Sequence, residues 1–526
     1  MRHSLSKVMG EGRSTVFLVG LALILALLMV GPLAPPAHTT TTFTVNSTAD
    51  LNDLDFPGGV FDGTSNGRCD AVAVGPDVCT LRAAIQEANI TAGVDAIAFN
   101  IFGSGVQSIT PNSPLPLISD TVIIDGYTQP GASPNTLAAG DNAVIKVDLN
   151  GAKAGTTADG LRISNSNAFA TEVQGLAINQ FEGNAISVQG TSFVRVEGNF
   201  IGTNPSGTSA LGNGFVGVRI DSGGINGGAN VVGGASPGSR NVISGNDVGG
   251  VFIFDSDNNR VLGNYIGTDE TGNKDLGNSG VGVSIFNGSN ENTVGGVTAG
   301  ARNVISGNDG IGVSVFLADN NRVLGNRIGT TRSGSGALGN STSGVATIGS
   351  ENNTVGDGTA GGLNTIAFNG ADGVRVDTIS GPDGANGNRI LRDSIFSNGA
   401  QGIDLEDDGR TTNDAGDPDE GANHLQNFPV LSSAKTVSGK TTIKGTLNSN
   451  PNEIYKVQFF YNPSGTNEGK TFIGQQSVTT NGSGNVSFAF SPSNAVAVGK
   501  TITATATKDF TGETSEFSAP RTVTSF

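Results

Sequence analysis

The amino-acid sequence predicts an all-β chain whose middle is a solenoid of stacked coils, and three observations point there. Asparagine closes a turn at Asn184, Asn213, Asn246, Asn278, Asn308, Asn340, Asn369 and Asn398, at intervals of 29 to 33 residues. Shortly after each comes a short apolar strand, among them Ile186-Ser187-Val188, Val218-Arg219-Ile220, Val251-Phe252-Ile253, Val283-Ser284-Ile285, Val374-Arg375-Val376 and Ile403-Asp404-Leu405. A third register runs through Asn259, Asn292, Asn321, Asn353 and Asn388, each two residues ahead of a Val or Ile. Self-similarity at a fixed period means that one repeat cannot bury its apolar face alone and must stack on its neighbours.

The content of the repeat selects the architecture. Each period holds about three short β-branched runs separated by Gly, Asn, Asp and Ser, and none carries the apolar spacing of a helix. Three strands per coil, with inward Val and Ile alternating with outward polar residues, predict a right-handed parallel β-helix over residues 159–406, with roughly eight coils and a length of about 40 Å. Asn fits the turns because it tolerates a left-handed backbone, and stacked amides can hydrogen-bond from coil to coil. The ladder is therefore expected to be scaffold.

The elements before the coils follow in order. Residues 1–37 carry Arg2, Lys7 and Arg13, an apolar run over 16–30 and a Gly/Pro/Ala-rich stretch. This reads as a secretory signal peptide and places the protein outside the cell or on its surface, an uncleaved anchor being the one route to a membrane. Residues 38–158 form a cap and the first coils. Phe43-Thr44-Val45 is a strand, 52–70 an acidic, Gly-rich loop, and in an exported chain Cys69 and Cys79 are expected to form a disulfide. From Thr80 the period becomes helical, with Leu81, Ala84, Ile85 and Ala88 on one face and Thr80 as N-cap. A single amphipathic helix at this place can cover the open first coil.

Two stretches here carry a resemblance. The run C-T-L-R-A-A-I-Q-E-A-N at 79–89, preceded by T-V-N-S-T-A-D at 44–50, resembles the bacterial CSLREA domain, with Thr80 in place of Ser and Ala83 in place of Glu. The later I-D-G-Y-T-Q-P-G at 124–131 is similar to the segment that follows this motif in such proteins, and the repeats resemble the pectate-lyase-like β-helix superfamily. The resemblance implies an exported bacterial protein and assigns no activity.

Beyond the coils, residues 407–427 form an acidic linker. Residues 428–526 then hold alternating strands at 441–447, 456–461, 486–490 and 501–506, divided by Asn/Gly/Pro turns, which suggests an immunoglobulin-like β-sandwich. It could also close the rod's far end.

Composition narrows the function. Gly supplies 80 of 526 residues and charged residues only 14%, as suits a turn-dense β structure. The formal net charge of -17 argues against nucleic acid as a partner, since phosphate binding needs a basic face. Three groups of residues break the repeat pattern. Phe254, Phe286 and Phe316 recur in successive coils. Facing outward they would form a strip on which sugar rings stack, and facing inward a core stack. Arg375, Asp377, Asp404 and Glu406 share a strand register, where they would supply either a lyase-like base with acids or a cross-coil ion pair. Asp414, Asp417 and Asp419 crowd oxygen ligands beside Gly416 and Gly421, a pattern suited to Ca2+ but unlike an EF-hand. The expected role is non-catalytic binding of a polysaccharide or cell-surface glycan, or a structural place in the envelope. The alternative is a polysaccharide lyase or hydrolase.

Overall fold

In the computed structural model, residues 40–56, 66–73, 77–222, 227–379, 384–463 and 466–525 are described, so residues 1–37, read above as a signal peptide, lie outside the described residues. The coils form a right-handed parallel β-helix of three sheets, containing eleven, ten and nine strands. The first sheet runs from Thr42–Val45 to Arg389–Ile390, the second from Gln107–Ile109 to Ser394–Phe396, and the third from Leu161–Ser164 to Ile403–Leu405. Every pairing within them is parallel, so each strand lies beside its counterpart one coil away.

Parallel register places like residues on like. In the second sheet Ile201, Ile243, Ile266, Ile305, Ile328, Ile366 and Ile395 stack in one inward column, each at most 1% exposed. The first sheet answers with Val173, Val196, Val232, Val261, Val294, Val323 and Val355. β-Branched side chains suit this arrangement because their single preferred rotamer packs a pleated surface without further loss of freedom.

The corners are held by side-chain amides. From Asn213 to Asn398 each Nδ2 donates to the Oδ1 of the next asparagine at 2.8–3.0 Å. A second ladder links Asn230, Asn259, Asn292, Asn321, Asn353, Asn388 and Asn423, using the backbone N–H for the 321–353 and 388–423 steps. A third, absent from the sequence expectations, joins Asn199, Asn241, Asn264, Asn303, Asn326 and Asn364 and ends on Asp393. The turns beside them have no room for a side chain. At Gly267, φ is +86° and a Cβ would meet the Ser306 carbonyl oxygen at 2.3 Å.

Each end is closed by different chemistry. At the N-terminal end the helix α1 (Leu81–Ala88) is buried along all eight residues, with the Thr80 hydroxyl accepting from the Ala83 N–H at 3.1 Å. Cys69 and Cys79 form a disulfide. The two CSLREA-like stretches meet in space: Arg82 donates to both oxygens of Asp50, and Asn46 exchanges hydrogen bonds with the backbone of Cys79. In the 124–131 stretch the Gln129 amide pairs with both backbone groups of Ile101, and the Tyr127 hydroxyl reaches the Gly198 carbonyl.

At the far end stands a β-sandwich of a three-stranded and a four-stranded antiparallel sheet, whose strands run from Val430–Val437 to Arg521–Thr522. It plugs the rod. Phe460 and Phe517 enter the β-helix core, Gly469 pairs with Ile395, and Glu468 accepts the Asn398 amide that ends the first ladder.

Asp393 occupies a rung that Asn holds elsewhere, and its Oδ2 is buried without a hydrogen-bond partner. Burial raises this carboxyl from 3.8 to about 8. The folded chain thus retains a proton that the unfolded chain releases, and stability from this site is complete below about pH 4 and lost as pH rises through about 8. Asp393→Asn should raise Tm, and by more at pH 8.5 than at pH 5. Thermal melts showing the same gain at both pH values would contradict this account.

Candidate functional site

Because strand residues alternate, the third sheet presents two outward columns. One reads Arg162, Ser187, Arg219, Phe252, Ser284, Ser314, Ala346, Arg375 and Asp404. The other reads Ser164, Gln189, Asp221, Phe254, Phe286, Phe316, Ile348 and Asp377. Phe254, Phe286 and Phe316 therefore lie outside the core, which is filled from these strands by Ile253, Ile285 and Val315. Phe254 and Phe286 are partly exposed and Phe316 is 39% exposed. The Phe286 ring packs on two others, 4.9 Å from Phe254 and 5.7 Å from Phe252. Gly249 leaves space for the Phe252 ring, which a Cβ there would meet at 2.6 Å.

The matching surface of the second sheet is treated differently. Its outward column of Ala177, Phe200, Val242, Tyr265 and Val304 is buried. A segment across residues 126–146 covers it, held by the Gly140 N–H on the Tyr265 hydroxyl at 2.8 Å. Arg240 donates to the carbonyls of Leu137, Ala138 and Gly140 and stacks on the Tyr265 ring. The protein thus shields one outward apolar column and leaves another open, and the open one is the candidate site.

Charged pairs stand at both ends of the phenylalanine strip. At one, Arg219 pairs with Asp221 at 2.8 Å and lies 5.8 Å from the Phe254 ring. A cavity of about 300 Å³ adjoins it, lined by Asp159, Arg162, Asn184, Gln189, Arg219 and Asp221 among others. At the other, Arg375 is clamped between Asp377 and Asp407, the latter at 2.9 Å.

The four residues read from sequence as a possible catalytic group are divided by the structure. Arg375 and Asp377 pair, and Asp404 lies beside Arg375 in register while accepting from the backbone of Asp408 and Gly409. Glu406 turns away to the Thr378 hydroxyl and the Ala422 N–H. Burial, and then repulsion from Asp372, pushes the Asp404 carboxyl up to about 6. Asp372, Asp404 and Asp407 bring carboxylate oxygens within 4.8 Å of one another. Asp407 and Asp372 had no sequence signal, because turns rather than strand register carry them there.

The acidic linker is also ordered. Asp414, Asp417 and Asp419 place carboxylate oxygens within 4.8 Å of one another. Asp417 accepts from the Asn427 N–H and the Ser449 hydroxyl, and burial pushes its carboxyl up to about 6.

No protein-family model matches the chain, and no curated protein matches it. Among solved structures it is similar to the periplasmic alginate epimerase AlgG, at 14% identity over 61% of this chain and 79% of that one, with a TM-score of 0.34. The A-module of the Azotobacter vinelandii mannuronan C-5 epimerase AlgE4 gives 15% identity over 68% and 96%, with a TM-score of 0.33. The enzymatically active domain of bacteriophage CBA120 tailspike protein 2 gives 12% identity over 90% and 76%, with a TM-score of 0.21. Likenesses this loose transfer no activity or site to this chain.

Proposed function

We propose that this protein is exported and binds an extended polysaccharide or cell-surface glycan along the outer face of the third sheet, without turning it over. The observation that carries this reading is the uncovered phenylalanine column, on a rod whose other outward apolar column is shielded. Sugar rings have apolar faces that stack on aromatic side chains, and the coil spacing of about 4.8 Å is of the order of one sugar unit. The Arg219–Asp221 and Arg375–Asp377 pairs then offer hydrogen bonds to hydroxyls at the strip's ends. With a net charge of -17, a neutral glycan fits better than a polyanion unless a cation bridges the two. The N-terminal cap is read here as CSLREA-like. The C-terminal sandwich is read as immunoglobulin-like, on its two antiparallel sheets and on its strand order of first, second, fifth against fourth, third, sixth, seventh.

One observation favours the enzymatic alternative, a polysaccharide lyase or hydrolase: the raised Asp404 carboxyl beside Asp372 and Asp407 is an available acid. Arg375 has its donors engaged by two carboxylates, which weakens it as a base. A calcium ion on Asp414, Asp417 and Asp419 is a further part of the proposal, with the role of stiffening the linker against Asn427 and Ser449.

Three measurements test these readings. In affinity electrophoresis through gels containing neutral and uronic polysaccharides, the wild-type protein should be retarded by at least one of them. Phe286→Ala should weaken that interaction about tenfold, or about 1.4 kcal/mol, with little change in Tm because the ring lies outside the core. Unchanged retardation would remove the strip from the binding face. Incubation with the same uronic polysaccharides should give no rise in unsaturated-product absorbance, and a rise abolished by Asp404→Asn would establish the lyase instead. Asp417→Asn should remove one bound calcium per chain in native mass spectrometry, and a wild-type count in the variant would dismiss the linker site.

A further inference from the structure

The start of the acidic loop, over residues 52–56, lies against α1 and brings two carboxylates, Asp53 and Asp55, to a third, Glu87, in the helix's last turn. One oxygen of each lies within 4.8 Å of the others. All three are buried, at 1%, 7% and 0% exposure. Asp53 accepts from the backbone of Asp55 at 3.0 Å and of Asp70 at 2.8 Å, and Asp55 from the backbone of Asn66 at 2.8 Å.

Glu87 is different. Both of its carboxylate oxygens are wholly buried, and neither accepts a hydrogen bond from a donor among the described residues, the group facing it being the Asp55 carboxyl, another acceptor unless protonated. The neighbouring arginines are engaged elsewhere, Arg82 with Asp50, Ser113 and Pro114, and Arg68 with Asp77. A buried, unpaired carboxylate costs several kcal/mol, far more than an apolar residue of its size at the same place. Burial, joined by repulsion from Asp53 and Asp55, drives the Glu87 carboxyl up to about 8 when nothing neutralises it. Two arrangements relieve the cluster: a proton shared between Glu87 and Asp55, or a cation among the three.

We propose that Asp53, Asp55 and Glu87 form a calcium site that fastens the acidic loop to α1. Their donors are all carboxylate oxygens, the hard ligands that calcium takes at about 2.3–2.6 Å, and their mutual spacing suits three oxygens around one such ion. Softer metals lack their usual ligands here, since Cys69 and Cys79 are joined to one another and no histidine among the described residues belongs to the cluster. The disulfide ties the loop's end to the start of the helix, and the cation ties the loop's beginning to the helix's last turn. Millimolar extracellular calcium suffices for a site of this kind.

The test uses the whole purified protein, stripped with a chelator and titrated with calcium chloride alone. Bound calcium is counted by native mass spectrometry, and amide hydrogen exchange is followed in peptides covering residues 44–56 and 81–91. Calcium should slow exchange in both peptides at least tenfold. Glu87→Gln and Asp55→Asn should each abolish that slowing and remove one calcium, while Asp417→Asn leaves it intact. If Glu87→Gln fails to fold, Asp55→Asn carries the same readout. Cap peptides indifferent to millimolar calcium, or a Glu87→Gln variant that keeps the wild-type calcium count, would overturn the proposal. The same indifference together with a Glu87→Gln variant more stable than wild type without calcium would assign the cluster to a shared proton.

Discussion

The whole molecule depends on the hydrogen bond from one asparagine amide to the next across a coil step. An asparagine at a corner has two donors and a doubly accepting oxygen in a space sealed from water, where each unmet group costs about 1–3 kcal/mol. Stacking meets all of them at once. In the third ladder each Nδ2 serves both the next amide and an inner-strand carbonyl, as Asn264 does with Asn303 and Val232. Each Oδ1 accepts in turn from the amide and the backbone of the preceding rung, as Asn264 does from Asn241. Corners fixed this way set where each strand begins, hence which residues face in and which face out. The isoleucine and valine columns and the phenylalanine strip are downstream of that register.

The ladder through Asn213 was legible because its steps are nearly uniform. The third was not: its steps run 42, 23, 39, 23, 38 and 29 residues, since insertions at that corner vary from coil to coil. The helix over residues 81–88 and its cap were readable from local spacing alone, and the disulfide from two cysteines close together in a chain read as exported. The facing of Phe254, Phe286 and Phe316 was not settled by spacing, because each sits at a strand end where a turn can reset the alternation. Burial in the folded chain decides it. Among the acids, Asp404 was placed correctly beside Arg375 by register, while Asp407 reached Arg375 through a turn with a left-handed residue, φ 54°, which no periodicity announces. Asp53, Asp55 and Glu87 stand more than thirty positions apart across the loop and helix, and only the packing of the cap unites them.

The treatment of the two outward apolar columns separates scaffold from surface. The second sheet's column is sealed by a long segment that reaches across several coils, with Arg240 donating to its Leu137, Ala138 and Gly140 carbonyls. This covering adds contacts between residues about a hundred positions apart, which a stack of nearest-neighbour repeats otherwise lacks. The third sheet has no equivalent among the described residues. Phe252, Phe254 and Phe286 cover one another instead, which lowers the cost of their exposure while keeping a face of one chemical kind across successive coils.

The ladders also have a direction. In the ladders from Asn213 to Asn398 and from Asn199 to Asp393 every side-chain amide donates to the next rung toward the C-terminal end of the rod, so their dipoles add along the axis as peptide dipoles do in a helix. The far end of these two stacks is accordingly their positive pole. These two stacks terminate there on acidic side chains, Asn398 on the sandwich's Glu468 and Asn364 on the protonated carboxyl of Asp393. The rod is thus an electrically polarised object with an acidic stopper at the matching pole, and a sandwich that brings no such acceptor would not fit this end.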